Sequence, residues 1–265
     1  MGFAEDTTVT ATGPGRYESA VREGWDIAGN ANGGYLLALA ARAMVDHSGR
    51  PDPVTISAHY LSPGRVGPVD IECLTVKEGR RFATVRGALR AGGKPLLEVL
   101  GAFGDLGDAH EGPERIEAAP PELPPLEDCI SSRSERGPAP PFMGRVGLHL
   151  HPDDAGFSVG QPSGEAQMRG WFRIEGSEAV DTVGVLLGLD AFPPTIFNAR
   201  LPVGWAPTVE LTCHVRARPA PGWLRARFTT RFVTGGFLEE DGELWDAEDR
   251  LVAQSRQLAL LPRPA

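Results

Sequence analysis

Residues 177–190 read Ser-Glu-Ala-Val-Asp-Thr-Val-Gly-Val-Leu-Leu-Gly-Leu-Asp, and this stretch decides the fold. From Val183 to Leu189 it is apolar all the way round, then it stops at Asp190, with Pro193-Pro194 close behind. A helix without a polar face must be buried, and the two prolines forbid its continuation. Ser177 is placed to cap the start, and Asp181 lies in the first turn, where a negative charge suits the macrodipole. The expectation is a helix enclosed by strands. Asp190 is the oddity. A carboxylate at the inner end of a buried helix, near carbonyls that repel negative charge, should have a raised pKa. It is either a solvated helix-end residue or a general base.

Working outward, Tyr35–Met44 is a second strongly helical, mostly apolar segment, with Asn32 available as N-cap and Gly33-Gly34 in the first turn. Glycines weaken a helix, so something must approach the backbone closely there: another element, or a ligand carbonyl seeking N–H donors. Ahead of it, Thr7–Thr12 and Tyr17–Trp25 read as strands around a Gly-Pro-Gly turn. From Val54 four strand-like runs follow, separated by Pro-Gly, Glu-Gly and Gly-Gly turns, which make an antiparallel meander. Between Asp105 and Pro141 the composition shifts to Pro, Glu, Ala and Ser, as in a linker. Strand patterns resume at Phe142–His151 and Ala166–Ile174, and after the buried helix four more runs complete the chain.

The second meander copies the first. Ile56 matches Leu211, His59 matches His214, Val69 matches Leu224, Phe82 matches Phe237, Leu89 matches Leu244 and Leu96 matches Leu251, every pair 155 positions apart. A constant offset over four strands marks a tandem duplication. Each unit is a lead-in strand, a buried helix and a four-strand sheet that curls round it. The fold class is therefore α+β, a tandem (double) hotdog with two long helices each wrapped by antiparallel strands of one continuous sheet. The expected units are 1–104, a Pro-rich linker at 105–141, and 142–265.

Composition excludes several function classes. A net charge of −9 over 265 residues disfavours nucleic acid. Three scattered cysteines, Cys73, Cys129 and Cys213, give neither a disulfide framework nor a zinc site, so buried thiols, no metal and a cytoplasmic location are expected. The N-terminal stretch lacks a basic region followed by an apolar core, and no run is apolar enough for a membrane span. No serine-hydrolase elbow, P-loop or dinucleotide fingerprint occurs, so no cofactor is expected.

Asn32-Gly-Gly34, Leu61-Ser-Pro-Gly64, Val76-Lys-Glu-Gly-Arg-Arg-Phe82 and Gly101-Ala-Phe103 together resemble motifs of the acyl-CoA thioesterase II-like, double-hotdog thioesterases. The resemblance spans nearly the whole chain. It implies hydrolysis of an acyl-CoA thioester, and it places the family's Asp, Ser/Thr and Gln on Asp190, Thr208 and Gln257. Asp190 would accept the proton of an attacking water, and Thr208 and Gln257 would hold that water. Backbone N–H groups at a helix start, Gly33 and Gly34, would receive the oxyanion. Only the second helix carries an acid at its end, Arg42 being its rough counterpart in the first, so one site per chain is expected. His59 and His214 read as structural. Family members often carry Asp-His just after the strand-start Ser or Thr, where this chain has Val209-Glu210. An acyl-CoA-binding protein without turnover is the alternative, and exposed sheet edges suggest a homo-oligomer.

Overall fold

The computed structural model describes residues 2–107, 113–133, 139–201, 204 and 206–261. After a helical turn at Phe3–Asp6, the first half contains β1 (Thr10–Gly13), β2 (Arg16–Val21), α1 (Gly33–Ser48), β3 (Asp52–Tyr60), β4 (Gly67–Glu78), β5 (Ala83–Ala91) and β6 (Lys94–Gly104). The second contains β7 (Ile130–Ser131), β8 (Val146–Leu150), β9 (Gln167–Ile174), α2 (Thr182–Gly188), β10 (Thr208–Val215), β11 (Leu224–Thr229), β12 (Phe237–Trp245) and β13 (Leu251–Leu260). These strands form one sheet in the order β1-β2-β4-β5-β6-β3-β10-β13-β12-β11-β9-β8-β7. The fold is the α+β double hotdog.

The halves join where β3 pairs antiparallel with β10, and Ser57 stands opposite Thr212 with their hydroxyls 2.7 Å apart. Those two residues are also 155 positions apart, so each is the other's repeat equivalent and the pseudo-twofold axis passes between them. The repeat read from the strands is thus a symmetry of the sheet, with one correction: β13 is offset from β6 by 156 positions rather than 155, because Leu211 pairs with Gln257 where Ile56 pairs with Gly101, so Leu96 corresponds to Val252 and not to Leu251.

The helices break that symmetry. Their N-caps, Asn32 and Asp181, are 149 positions apart rather than 155, and α1 runs for 16 residues whereas α2 has 7. The second helix is shorter than the sequence suggests and starts later. Its cap is Asp181, whose carboxylate accepts the Gly184 N–H at 2.7 Å, and Ser177 lies in the turn before it. A carboxylate is a stronger acceptor than a hydroxyl and suits the positive helix end better. All seven residues of α2 are buried, as an all-apolar helix requires. The chain saved in α2 becomes a long connection to β10, holding Asp190 and a 3-10 turn at Thr195–Asn198.

Two further boundaries differ from expectation. The lead-in strand ends at Val21, and Trp25 beyond it is buried, stacked on Tyr35 at 4.7 Å and donating its indole N–H to Asp6 at 2.9 Å. The stretch read as linker supplies β7, whose Ile130 and Ser131 pair with Leu150 and His149 to form the far edge of the sheet. Among the described residues no helix is long and apolar enough to cross a membrane.

Candidate functional site

The start of α1 meets the end of α2. A Cβ at Gly34 would stand 2.9 Å from Asp190 Cβ and 3.0 Å from Leu187 Cα, and one at Gly33 would stand 2.8 Å from Tyr60 Cε1 and 2.9 Å from Asp190 Oδ2. Glycine is needed at both positions because the other helix arrives there carrying an acid. Asp190 Oδ2 accepts the Gly34 N–H at 2.7 Å and an Asn32 side-chain N–H at 3.2 Å. Asn32 also donates to the Asp190 carbonyl at 3.0 Å while its Oδ1 caps α1 through the Tyr35 N–H at 2.9 Å. One residue therefore caps a helix and fixes the carboxylate.

Burial pushes the Asp190 pKa up to about 6, and the Gly34 and Asn32 donors restrain it from rising further. The direction matches the sequence expectation but the cause does not. Rather than being repelled by the carbonyls ending α2, the carboxylate lies at the positive N-terminus of α1, which favours its charge. Desolvation outweighs that help.

Asp190 lines a cavity of about 520 Å³, together with Gly33, Thr208 and Gln257. Its walls are largely apolar, with Leu36, Phe157, Phe192, Phe197 and Phe228 among them. Thr208 opens β10, and Gln257 on β13 pairs with Leu211 on one side and Glu240 on the other. Gly34 takes no part in the lining, and its N–H is committed to Asp190. It is therefore not an available oxyanion donor, which leaves Gly33, whose N–H belongs to the unpaired first turn of α1. His59 and His214 are exposed and outside the cavity.

Two lining residues were missed in the sequence. Tyr60, the last residue of β3, carries a buried hydroxyl with no hydrogen-bond partner, and burial drives its pKa well above the usual phenol value. Glu240 is 8% exposed and accepts the Thr195 N–H at 2.8 Å. Alternation along β12, where Leu238, Glu240, Gly242 and Leu244 are the buried set, was the signal that could have found it.

The pseudo-symmetric position is differently built. Counting back 155 positions, Thr208 becomes Pro53 and Glu240 becomes Val85; Val85 pairs with Gly101 as Glu240 pairs with Gln257, so Gly101 is the counterpart of Gln257; by the N-cap offset Asp190 becomes Ala41. Beside Ala41, Arg42 pairs with Asp181 at 2.6 Å, the counterpart of the Asn32–Asp190 contact. Nearby, buried Asp52 accepts from Thr182 at 3.0 Å and from Arg218 at 2.7 Å. Ion pairs thus stand at the twin position, where the site has its carboxylate held by neutral donors. Among the described residues no group of His, Cys, Asp and Glu could hold a metal ion, and all three cysteines are buried thiols.

The sequence model of the acyl-CoA thioesterase N-terminal domain matches residues 21–104, and that of the C-terminal domain matches residues 118–261. A solved structure from Thermobifida fusca, provisionally assigned as a thioesterase II, superposes with a TM-score of 0.89 at 34% identity, covering 98% of this chain and 97% of that one. A hot dog protein from Alicyclobacillus acidocaldarius shares the fold at TM-score 0.87 and 21% identity, with 99% and 98% covered. An uncharacterized protein of Mycobacterium tuberculosis is 28% identical over 93% of this chain and 91% of its own length.

Proposed function

This chain belongs to the acyl-CoA thioesterase family and is a thioester hydrolase, and from that premise we propose that it cleaves acyl-CoA with a water activated by Asp190. The acyl chain occupies the apolar cavity and the CoA moiety extends to the surface. Asp190 accepts a proton from water as the water oxygen attacks the thioester carbon, and the developing oxyanion takes a hydrogen bond from the Gly33 N–H. Collapse of the tetrahedral intermediate breaks the carbon–sulfur bond and releases CoA thiolate and the free acid. Thr208 and Gln257 act on the water, each able to donate and accept, so that its lone pair faces the carbon.

The observation that carries this proposal is the carboxylate itself. Asp190 Oδ2 is held by two donors, the residue lines the cavity, and its pKa near 6 leaves it ionised yet basic at neutral pH. The test is thiol release from short, medium and long acyl-CoAs by the intact protein and by Asp190→Asn, an isostere unable to act as base. General-base loss predicts a fall of about 100-fold or more with the fold retained. Binding of acyl-CoA without release by the intact protein would instead favour a non-catalytic carrier.

A further inference from the structure

Glu240 and Asp190 are the two acids among the described lining residues. Glu240 projects from the inner face of β12, flanked by the outward Glu239 and Asp241, and Gln257 is its direct partner on β13. Side chains so paired share a face, with Cβ atoms roughly 4.5–5.5 Å apart. Its only hydrogen-bonding neighbour among the described residues is Thr195. A carboxyl group can take about four hydrogen bonds, so capacity remains on the cavity side.

The fold does not need an acid at this position. Val85, its equivalent in the first half, is fully buried on β5. A plain alkyl chain does not need one either, because a carboxyl set into a wall that includes Phe192, Phe197 and Phe228 is costly to desolvate. Glu240 instead varies with the other polar lining residues: Thr208, Gln257 and Glu240 line the cavity in one half, and Pro53, Gly101 and Val85 replace them in the other.

We infer that Glu240 is a specificity-determining residue that hydrogen-bonds an oxygen substituent near the thioester, so that β-hydroxyacyl-CoAs are preferred over plain acyl-CoAs of the same length. This rests on the proposed hydrolysis at the same site. The β-carbon is the natural position for that oxygen, because Gln257, placed at the reacting water, is Glu240's immediate neighbour. Burial, aided by the Asp190 charge, pushes the Glu240 pKa up to about 7. The group therefore exists in both forms near neutrality, donating to a hydroxyl oxygen when protonated and accepting from the hydroxyl when ionised.

The experiment measures kcat/KM for thiol release with matched acyl-CoA pairs, with and without a β-hydroxyl, for the intact protein, Glu240→Val and Glu240→Gln. The intact protein is expected to favour the hydroxylated member by about tenfold. That ratio should fall to unity or below in Glu240→Val, mainly through KM, and persist in Glu240→Gln, whose amide still donates and accepts. A ratio of one in the intact protein overturns the inference, whether or not a variant folds. So does a ratio unchanged by Glu240→Val, which would make Glu240 an anchor for Thr195. No release from either member by the intact protein would overturn thioester hydrolysis itself, and the inference with it.

Discussion

Replacing Gly34 by alanine tests how strictly the site depends on contact between its two helices. The new methyl would meet Asp190 Cβ at 2.9 Å, Leu187 Cα at 3.0 Å and Leu186 O at 3.2 Å, against about 3.5–4.0 Å for ordinary carbon contacts. Two of these atoms are backbone and cannot rotate away, so α1 and α2 must separate by about 0.5–1 Å. Overpacking costs about 1–3 kcal/mol, and alanine's helix preference over glycine offsets up to about 1 kcal/mol of it. The net loss, about 1–2 kcal/mol, lowers Tm by roughly 2–4 °C per kcal/mol in a chain of this size. Catalysis should suffer more. The same movement separates the Gly34 N–H from Asp190 Oδ2, now 2.7 Å away, and a misplacement of about 1 Å costs on the order of 100-fold. Thermal melting and kcat/KM on one acyl-CoA, measured side by side, check this. A variant as stable as the parent and equally active would refute the reasoning.

Because Asp190 must be ionised to accept a proton, kcat/KM should rise with pH through about 6; Asn32→Ala removes a donor that restrains this pKa and should move the rise to higher pH, as well as costing about 1 kcal/mol as a lost N-cap. The raised pKa values of Asp190, about 6, and Glu240, about 7, mean that the folded state holds these protons more tightly than the unfolded chain. Their contribution to stability is therefore greatest below the ordinary carboxylate range and falls as pH rises to about 7, measurable by urea unfolding at several pH values. Tyr60→Phe removes a buried hydroxyl that has no partner. The variant should unfold at the same or higher urea concentration, the gain being up to about 1 kcal/mol, and a clear loss would contradict the assignment. Arg42→Ala breaks the partly exposed pair with Asp181 at a cost of about 0–1 kcal/mol. Its rate of thiol release should equal that of the parent, because neither residue lines the cavity.

The sheet was legible because the 155-residue offset survives from Ile56 through Leu244. The Ser57–Thr212 pairing shows why: that offset is the pseudo-twofold itself. The last turn then takes five residues at 246–250 against two at 92–93, and β13 is displaced by one further position, Leu244 pairing with Ala253 where Leu89 pairs with Leu97. The second helix was harder to bound. Ser177 and Asp181 are both plausible caps, and an all-apolar run has no polar face whose end marks the boundary. Asn32 was legible as a cap, but not as the residue that holds Asp190, since that contact joins chain segments 158 residues apart. Glu240 was hidden among Glu239 and Asp241, an acidic run that resembles a solvated edge until the inward period of β12 is counted. Tyr60 looked like any strand-end aromatic, and only three-dimensional packing leaves its hydroxyl without a partner. Gly33 and Gly34 were both noticed, yet their different duties follow from which N–H the incoming carboxylate takes.

The central claim, that Asp190 acts as a base on water rather than as a nucleophile, is tested most directly by a single turnover of acyl-CoA in oxygen-18 water, with mass spectrometry of the acid product and of the peptide containing Asp190. Direct attack by activated water predicts one labelled oxygen in the product acid and none in the Asp190 carboxylate. Label in the Asp190 carboxylate, with unlabelled acid released, would reveal a covalent acyl intermediate and contradict the claim.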